Sequence, residues 1–316
     1  MKRSLVTILL ATMSLAGYGL LKDPAYLDAR RNGAETRISI KVVDDTGVVV
    51  SNATVNIFFG MNFRPKGHAI TGETNEHGVF GAVGKTCGDE IEISVDKSGY
   101  YPSKRKLCYA TMGRECQVKD GNWQPYCDMQ QIVLRKRRNP VLTERFWEFR
   151  YTKAVNSWIG FDIAKNDFVH PHGKGARSDF EVSIDWNGDW LPKYNGMALK
   201  IRFVEPFSGY YEIPANTESA FIGPYKADPA INYVQNAEFS EKVRDDGEID
   251  GSHFNKAHCW VVRSRCTVDE KGKLISANYT VVHDIAFSCK KGGVAGFSIS
   301  GFFNPAPNDT NLEPKR

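Results

Sequence analysis

The sequence predicts an all-β protein made of two β-rich units in tandem. Short segments in which apolar and polar residues alternate follow one another along most of the 316-residue chain, which is the pattern of half-buried strands. Turn signals rich in Asp, Asn and Gly separate these segments about every 8 to 12 residues, as in β-sandwiches. No stretch shows a convincing apolar period of about 3.6 residues, the sign of an amphipathic helix.

Composition places the chain among ordinary globular proteins. Hydrophobic residues make up 41% and charged residues 25% of the sequence, close to average usage and unlike disordered or fibrous chains. The 41 Lys and Arg residues and 37 Asp and Glu residues leave a net charge of +4. This charge is too weak and too evenly spread to predict nucleic-acid binding or a polybasic membrane surface.

The amino terminus has the features of an export signal. Lys2 and Arg3 precede an uncharged apolar run over residues 5–15, and small residues, Ser14 and Ala16, stand at the positions that a signal peptidase requires. We therefore expect a signal peptide over residues 1–16 and a linker over 17–35. The mature protein is then periplasmic or extracellular, without a membrane span. The alternative is an uncleaved anchor, because the uncharged stretch continues to Leu21.

Cysteine usage fits an oxidising compartment, where disulfide bonds are the default expectation. Seven cysteines follow the signal: Cys87, Cys108, Cys116, Cys127, Cys259, Cys266 and Cys289. None forms a Cys-x-x-Cys pair. If Cys259 and Cys266 share one strand they lie about 23 Å apart at ~3.3 Å per residue, too far to bond each other. The odd count leaves one thiol either free or paired between molecules, and the connectivity stays open.

The first unit covers residues 36–137. Its expected strands are at 37–43, 48–50, 54–59, 69–73, 79–83, 90–95 and 131–134. Tight turns at 44–47 and 75–78 end in Gly47 and Gly78, which can adopt the positive φ that such turns need. A segment over 103–128 interrupts the pattern and contains three cysteines. We interpret it as an excursion pinned by disulfides and as a candidate binding element.

This first unit resembles the carboxypeptidase regulatory-like, or transthyretin-like, domains. The resemblance rests on the opening VDDTGVVVSNATV at 43–55, on Thr74, Gly78 and Phe80 in a T-x-x-x-G-x-F pattern, and on Gly99-Tyr100. It implies a transthyretin-like β-sandwich, followed here by a second antiparallel β-rich domain. Val49 stands where the family usually has Pro. No zinc carboxypeptidase motif accompanies the module.

The second unit covers residues 138–303, with an exposed tail over 304–316. Expected strands are at 146–151, 180–186, 198–205, 259–268, 274–288 and 294–303, the last three as an antiparallel meander. The whole chain resembles a group of uncharacterised exported bacterial proteins. The shared motifs are GFD at 160–162 with GKG at 173–175, Arg263 and Arg265 before Asp269 and Gly272, and NPAPND at 304–309. The group has no known activity to transfer.

One aromatic stretch of the second unit provides candidate binding residues. Trp186 and Trp190 are candidates for stacking on sugar rings, since exposed aromatic platforms bind sugar faces, and core packing is the alternative. Asp185, Asn187 and Asp189 place oxygen atoms at alternate positions, as calcium loops do, although the EF-hand spacing fails. Calcium is accordingly a candidate cofactor at this loop, and a plain hairpin tip is the simpler interpretation.

No nucleophile elbow, P-loop or dinucleotide motif is present in the sequence. The sequence therefore predicts a non-catalytic exported protein that acts in binding, adhesion or envelope structure, with a glycan or an envelope protein as partner. An oligomer through the odd cysteine or an edge strand is a further option. The alternative function is a secreted hydrolase with dispersed carboxylates, for which Asp162, Asp179 and Asp185 are the candidates.

Overall fold

A computed structural model describes residues 23–61, 67–88, 91–109, 117–186, 196–244, 248–290 and 293–315. These residues form four β-sheets and one short helix, so the all-β prediction is confirmed. The chain divides into two compact units, residues 1–137 with 218–220 and residues 138–217 with 221–316. No helix in the described ranges is long and apolar enough to cross a membrane.

The helix, α1 (Pro24–Asn32), lies inside the segment predicted as a linker. Asp23 caps its first turn, because the carboxylate Oδ1 accepts a hydrogen bond from the backbone N–H of Ala25 at 2.9 Å. Gly33, with a φ of +81°, ends it. Only Ala29 of the helix is buried, so the helix has no apolar stripe that a sequence pattern could reveal. The linker prediction is wrong for residues 24–32.

The described residues of the first unit form ten strands in two sheets. They are β1 (Ala34–Asp44), β2 (Thr54–Phe59), β3 (His68–Glu73), β4 (Val79–Thr86), β5 (Ile91–Asp96), β6 (Tyr100–Tyr101), β7 (Ser103–Leu107), β8 (Val118–Lys119), β9 (Asn122–Trp123) and β10 (Asp128–Lys136). One sheet has the order β6-β10-β1-β9-β8 with β4 also on β1, and the other has the order β3-β2-β5-β7. Strand β1 is parallel to β10 and antiparallel to β4.

Both sheets of the first unit contribute to one core. Alternate residues of β1, such as Ile38 and Ile40, are fully buried and pack in the same cluster as Val55 and Ile57 of β2. The buried hydroxyl of Thr74 ties the strand ends together: its Oγ1 donates to the carbonyl of Val50 at 2.8 Å and accepts the N–H of Ala53 at 2.9 Å.

Gly78 occupies the tight turn that the sequence predicts. Its φ is +70°, and a Cβ atom there would come within 2.7 Å of the carbonyl oxygen of Val42. Any other residue would therefore suffer both backbone strain and a clash. Gly47 also has a positive φ, of +86°. The two turns predicted from glycine position thus have the expected backbone conformation.

The predicted excursion over 103–128 is in part a regular strand. Strand β7 pairs along its length with β5, and the indole of Trp123 is fully buried with its Nε1 donating to the carbonyl of Thr86 at 2.8 Å. Lys104 and Lys106 expose their side chains, which hides the apolar alternation expected of a strand. The sandwich therefore extends into this segment. Residues 110–116, with Cys116, lie outside the described residues.

In the second unit, the part of the chain that the structure describes forms eleven strands in two sheets. They are β11 (Glu144–Thr152), β12 (Ile159–Asp162), β13 (Asp167–Phe168), β14 (Phe180–Trp186), β15 (Met197–Arg202), β16 (Gly209–Pro214), β17 (Asn236–Val243), β18 (Ile249–Ser252), β19 (His258–Val268), β20 (Leu274–Lys290) and β21 (Val294–Asn304). The five-stranded sheet has the order β11-β21-β20-β19-β16, and the six-stranded sheet has the order β13-β12-β14-β15-β17-β18. Strands β19, β20 and β21 form the predicted meander.

The five-stranded sheet packs differently on its two faces. One face joins the six-stranded sheet in the largest core, through residues such as Trp260 and Phe297. The opposite face carries a smaller core, in which Val261 and Tyr279 pack with Tyr233 and Leu312. Leu312 belongs to the segment predicted as an exposed tail. This second core reaches only part of the face.

The exposed-tail prediction is wrong for residues 311–314, which are buried. Leu312 is 1% exposed, and the carboxylate of Glu313 accepts the backbone N–H groups of Arg138 and Asn139, each at 2.7 Å. The Pro and Asn content of this segment predicts a solvent-exposed tail, but hydrogen bonds within the protein satisfy its polar groups. Residues 305–308, in contrast, are exposed.

Candidate functional site

The first candidate residue, Asp185, lies on β14 and is held by an ion pair. Its carboxylate accepts the Lys200 ammonium at 2.7 Å and the Ser183 hydroxyl at 2.5 Å. Burial alone would raise the pKa of Asp185, but the hydrogen bonds from Lys200 and Ser183 and the charge of Lys200 lower it below its ordinary value. Asp185 is therefore an ionised surface group. The other two candidate calcium ligands, Asn187 and Asp189, lie outside the described residues, so calcium stays a prediction.

Trp186 is not an exposed platform. It is half-buried and packs against the large core of the second unit. Its backbone N–H donates to the side-chain oxygen of Asn156 at 2.7 Å. Successive strand residues face opposite sides, so Trp186 points inward because Asp185 points outward. Its core role is the alternative that the sequence left open. Trp190, the second predicted binding residue, lies outside the described residues.

Three exposed aromatic side chains instead line strand β11. Trp147 is 66%, Phe149 36% and Tyr151 47% exposed. Because they occupy alternate positions of one strand, they share one face of the five-stranded sheet. The rings of Phe149 and Tyr151 are 5.4 Å apart between centroids. We call Trp147, Phe149 and Tyr151 the aromatic row.

Small residues on the neighbouring strands form the floor beside the aromatic row. Across β21, the partners of Trp147, Phe149 and Tyr151 are Ser300, Ser298 and Gly296. A Cβ atom on Gly296 would lie 2.3 Å from the ring of Phe149, so this ring rests directly over the glycine. The floor therefore lets the Phe149 ring lie against the sheet, with hydroxyl groups beside it.

Charged residues border the aromatic row. The Lys290 ammonium lies 3.9 Å from the centre of the Tyr151 ring, a cation–π contact. At the other end, Arg145 precedes the row by two positions and is exposed. Glu148 and Arg150 alternate with the aromatic residues along β11, so they pair with each other on the opposite face of the strand. The face that carries the row therefore presents aromatic rings and hydroxyl groups, with a positive charge near each end.

The structure also brings together Asp162 and Asp179, two of the three carboxylates considered for hydrolysis. They are 3% and 2% exposed and are joined by Arg265, which donates to Asp162 Oδ1 at 2.8 Å and to both oxygens of Asp179 at 2.8 and 3.0 Å. Burial alone would lower the pKa of Arg265, but Asp179 and then Asp162 raise it above its ordinary value. Asp185 is not part of this cluster, since it pairs with Lys200.

Every carboxylate oxygen of Asp162 and Asp179 accepts two hydrogen bonds. Three of the four oxygens bind Arg265 and one further donor, and the second oxygen of Asp162 binds two backbone N–H groups. The further donors are Lys165 N and, to the second oxygen, Ala176 N and Arg177 N for Asp162, and Ser264 Oγ and Ile163 N for Asp179. The cluster is a satisfied ion-pair network that fixes the 163–179 loop to β19. Its carboxylates do not face an open substrate position.

This network explains two of the motifs found in the sequence. Asp162 ends the GFD motif, and Arg265 is the second Arg of the Arg-x-Arg motif. Arg265 has a φ of +54°, at an irregularity in the pairing of β19 with β20. Gly175 of the GKG motif would bring a Cβ atom within 2.8 Å of Asp162. The motifs therefore have structural roles in this chain.

The predicted disulfide bonds do not form among the described cysteines. Cys259 and Cys266 lie on the same strand, as anticipated, and Cys289 packs in the core on the opposite face of the sheet. Cys127 is exposed, and Cys87 is buried beside Met61 at 3.9 Å between sulfur atoms. Cys108 is half-buried, and Cys116 lies outside the described residues. Burial raises the pKa of both Cys266 and Cys289 to about 11.

Sequence reasoning noticed the alternation over 146–151 but did not select the aromatic row. The sequence did not indicate which face of the strand is exposed. Glu148 and Arg150 alternate with the aromatic residues, and charged residues usually occupy the solvent-exposed face of a strand. Here Arg150 is partly buried because its Nε donates to the carbonyl of Asn166 at 2.6 Å. The aromatic face is consequently the exposed one.

Comparison with known proteins does not identify a family. No family model matches the chain, and no curated protein matches it. Solved structures with some similarity include chlorocatechol 1,2-dioxygenase from Pseudomonas putida, with 11% identity, a TM-score of 0.24, and coverage of 34% of this chain and 61% of that one. This chain thus spans about three fifths of the dioxygenase it matches.

Two pilins are also among the solved structures that match, with similarly low scores. The major pilin subunit BcpA of Bacillus cereus has 10% identity and a TM-score of 0.23, over 84% of this chain and 95% of that one. A streptococcal ancillary pilin has 8% identity and a TM-score of 0.21, over 78% of this chain and 59% of that one. At these values no activity or partner transfers to this protein.

Proposed function

We propose that this protein is a non-catalytic, exported binding protein that holds a polysaccharide on the aromatic row. The observation that carries the proposal is the exposure of three aromatic side chains at alternate positions of one strand. Soluble proteins rarely expose contiguous apolar groups unless a partner covers them. The row therefore marks the surface on which this protein acts.

The chemistry of the row favours sugars over a purely apolar partner. A sugar ring presents C–H faces that stack on aromatic rings and hydroxyl groups that need hydrogen-bond partners. Ser298 and Ser300 supply hydroxyls beside the rings, and Arg145 and Lys290 border them. At ~3.3 Å per residue the row is about 13 Å long, which exceeds the length of a single sugar ring.

The contacts of the carboxylates support a binding role rather than hydrolysis. A hydrolase of the kind considered needs a pair of carboxyl groups facing the bond to be cleaved. Asp162 and Asp179 are both bound to Arg265, and Asp185 is bound to Lys200. None of the three is placed as an acid or nucleophile beside the aromatic row.

Export and the identity of the first unit remain part of the proposal. The amino-terminal pattern over residues 1–16 and the resemblance of the first unit to carboxypeptidase regulatory-like domains support an exported protein with a non-catalytic module. Expression in a bacterium followed by amino-terminal sequencing tests export. The expected mature protein begins at Gly17, and an unprocessed cytoplasmic product would contradict export.

A sedimentation assay on insoluble polysaccharides, peptidoglycan and envelope fractions tests the binding proposal. We expect saturable retention of the mature protein on a polysaccharide, and loss of that retention in a Trp147→Ala/Tyr151→Ala double variant. Tyr126→Ala removes an aromatic side chain of similar exposure from the first unit and serves as the matched control. A parallel arm with chelator tests the calcium prediction.

Retention of the double variant at the wild-type level would overturn the assignment of the row. Retention on envelope fractions but on no purified polysaccharide would show that the ligand is an envelope component other than a polysaccharide.

A further inference from the structure

A groove of about 280 Å³ lies beside the aromatic row in the second unit. It runs between strand β11 and the turn over residues 163–166, and Trp147 lines both the groove and the row. Because β11 is the outermost strand of its sheet, the groove lies at the sheet edge. Phe146, Glu148 and Arg150 line the groove from the face of β11 opposite the row, so a chain stacked on Trp147 reaches the groove by passing around this edge.

The groove contains a buried acceptor without a partner. Asn166 is 9% exposed, and its side-chain Oδ1 makes no hydrogen bond within the described part of the chain. The residue is held rigidly, with a φ of +47° and its backbone carbonyl bound to Arg150. A buried, unsatisfied amide oxygen is unfavourable unless a ligand or solvent donor reaches it. Oδ1 is itself covered, so it accepts a ligand hydroxyl only when the Asn166 amide turns toward the groove.

The charges that line the groove are unbalanced. Glu148 and Arg150 are already paired with each other. Arg145 and Lys165 also line the groove and are exposed, and in the described ranges no carboxylate forms an ion pair with either. Only Glu144 remains to oppose these two cations. The groove thus combines excess positive charge with a hydrogen-bond acceptor.

We propose that this groove binds one acidic sugar residue, a hexuronate, of the polysaccharide held on the aromatic row. The sugar carboxylate lies toward Lys165 and Arg145, and a ring hydroxyl donates to Asn166 Oδ1. The inference rests on the proposed function, and it specifies the chemical class of the glycan. It predicts preference for polyuronates over neutral polysaccharides and weaker binding at high salt.

Retention on polygalacturonate and on its carboxyl-reduced, neutral form tests this subsite. We expect Lys165→Gln to weaken retention on polygalacturonate about tenfold, as loss of one charged contact does, and not to change retention on the neutral form. Lys165→Arg keeps the charge and should retain most of the affinity. Lys271→Gln removes an exposed lysine at a hairpin tip and is the matched control.

Asn166→Gly isolates the acceptor. Glycine accommodates the positive φ, so this variant removes the amide while keeping the local backbone. We expect weaker retention on both polymers, since both have ring hydroxyls. Thermal unfolding of each variant shows whether it remains folded.

The outcomes separate the subsite from the proposed function. Equal retention on the acidic and neutral polymers, or no effect of Lys165→Gln, would overturn the acidic subsite while leaving the aromatic row as a binding surface. If no polysaccharide retains the protein, both the subsite and the proposed function are wrong. Loss of the acidic preference in Lys165→Gln alone would support both.

Discussion

One face of the five-stranded sheet in the second unit has a part covered by other segments of the chain and an uncovered part, and aromatic residues have different roles in the two. In the covered part, Tyr211 and Tyr279 are at most 9% exposed and pack with Tyr233 and Leu312. In the uncovered part, Trp147 and Tyr151 are 66% and 47% exposed. Both parts are rich in aromatic side chains. What differs is whether another segment of the chain packs over them.

This contrast separates residues that stabilise the protein from residues that are available to a partner. Covered aromatic residues contribute to a core and are therefore inaccessible to ligands in solution. Exposed ones contribute little to folding and remain free to stack on a ligand. Substitutions on the covered side should therefore change stability, and those on the aromatic row should change binding.

The largest expected effect comes from the buried ion-pair network. Arg265→Met leaves Asp162 and Asp179 as two uncompensated buried carboxylates, and we expect a loss of about 3 to 5 kcal/mol in the free energy of unfolding. Urea denaturation measures it. Arg177→Met, which removes a more exposed ion pair with Glu205, should cost less than about 1 kcal/mol. Similar losses in both variants would show that the network has no special role.

The next prediction concerns the carboxyl-terminal segment that packs over the covered part of the sheet. Leu312→Ala removes a side chain that is 1% exposed, and we expect a loss of about 2 to 5 kcal/mol. Leu142→Ala removes a leucine that is 72% exposed and should change stability by less than about 0.5 kcal/mol. Chemical denaturation distinguishes the two. An undisturbed Leu312→Ala protein would mean that the carboxyl-terminal segment does not form part of the core.

Thiol reactivity tests the contrast between buried and exposed cysteines. Cys127 is exposed and should react rapidly with iodoacetamide at pH 8, whereas Cys266 and Cys289 should react slowly, because burial blocks access and raises their pKa to about 11. Peptide mass analysis of the exported protein under native conditions gives the order of labelling. Disulfide-linked peptides that contain Cys266 or Cys289 would restore the disulfide prediction for these residues.

The smallest effect concerns the half-exposed pair of Asp185 and Lys200. The pKa of Asp185 is lowered in the folded protein, so its contribution to stability is present above the ordinary pKa of an aspartate, about 4, and is lost as the pH falls through the lower folded value. Because Lys200 is solvated, this contribution is small. Asp185→Asn should thus be slightly less stable than the wild type at pH 7, and the difference should shrink as the pH falls below about 4. A difference that does not shrink at acidic pH would contradict the pairing.

Local patterns were sufficient to predict most strands of the second unit. The expected strand at 180–186 is β14 (Phe180–Trp186), and the predicted meander is β19, β20 and β21. These segments are long and alternate clearly, and glycine-rich turns separate them. Their register follows from the same alternation, because a shift of one residue would expose the apolar side chains.

Contacts between distant residues could not be predicted in this way. Arg265 is 103 positions from Asp162, so no spacing in the sequence relates them. The burial of Leu312 depends likewise on a core formed by other segments. Whether Trp147 or Glu148 faces solvent depends on the partners of Arg150, which come from a separate turn. The candidate site therefore required the folded structure, although its residue types were visible in the sequence.

The most direct test of the central claim is a paired measurement on a Trp147→Ala/Phe149→Ala/Tyr151→Ala variant. Its free energy of unfolding and its retention on the polysaccharide that binds the wild type are measured side by side. We predict a small change in stability and loss of retention, since the aromatic row is exposed and binds the ligand. Undiminished retention by the folded triple variant would contradict the account, and so would unfolding caused by the loss of these exposed rings.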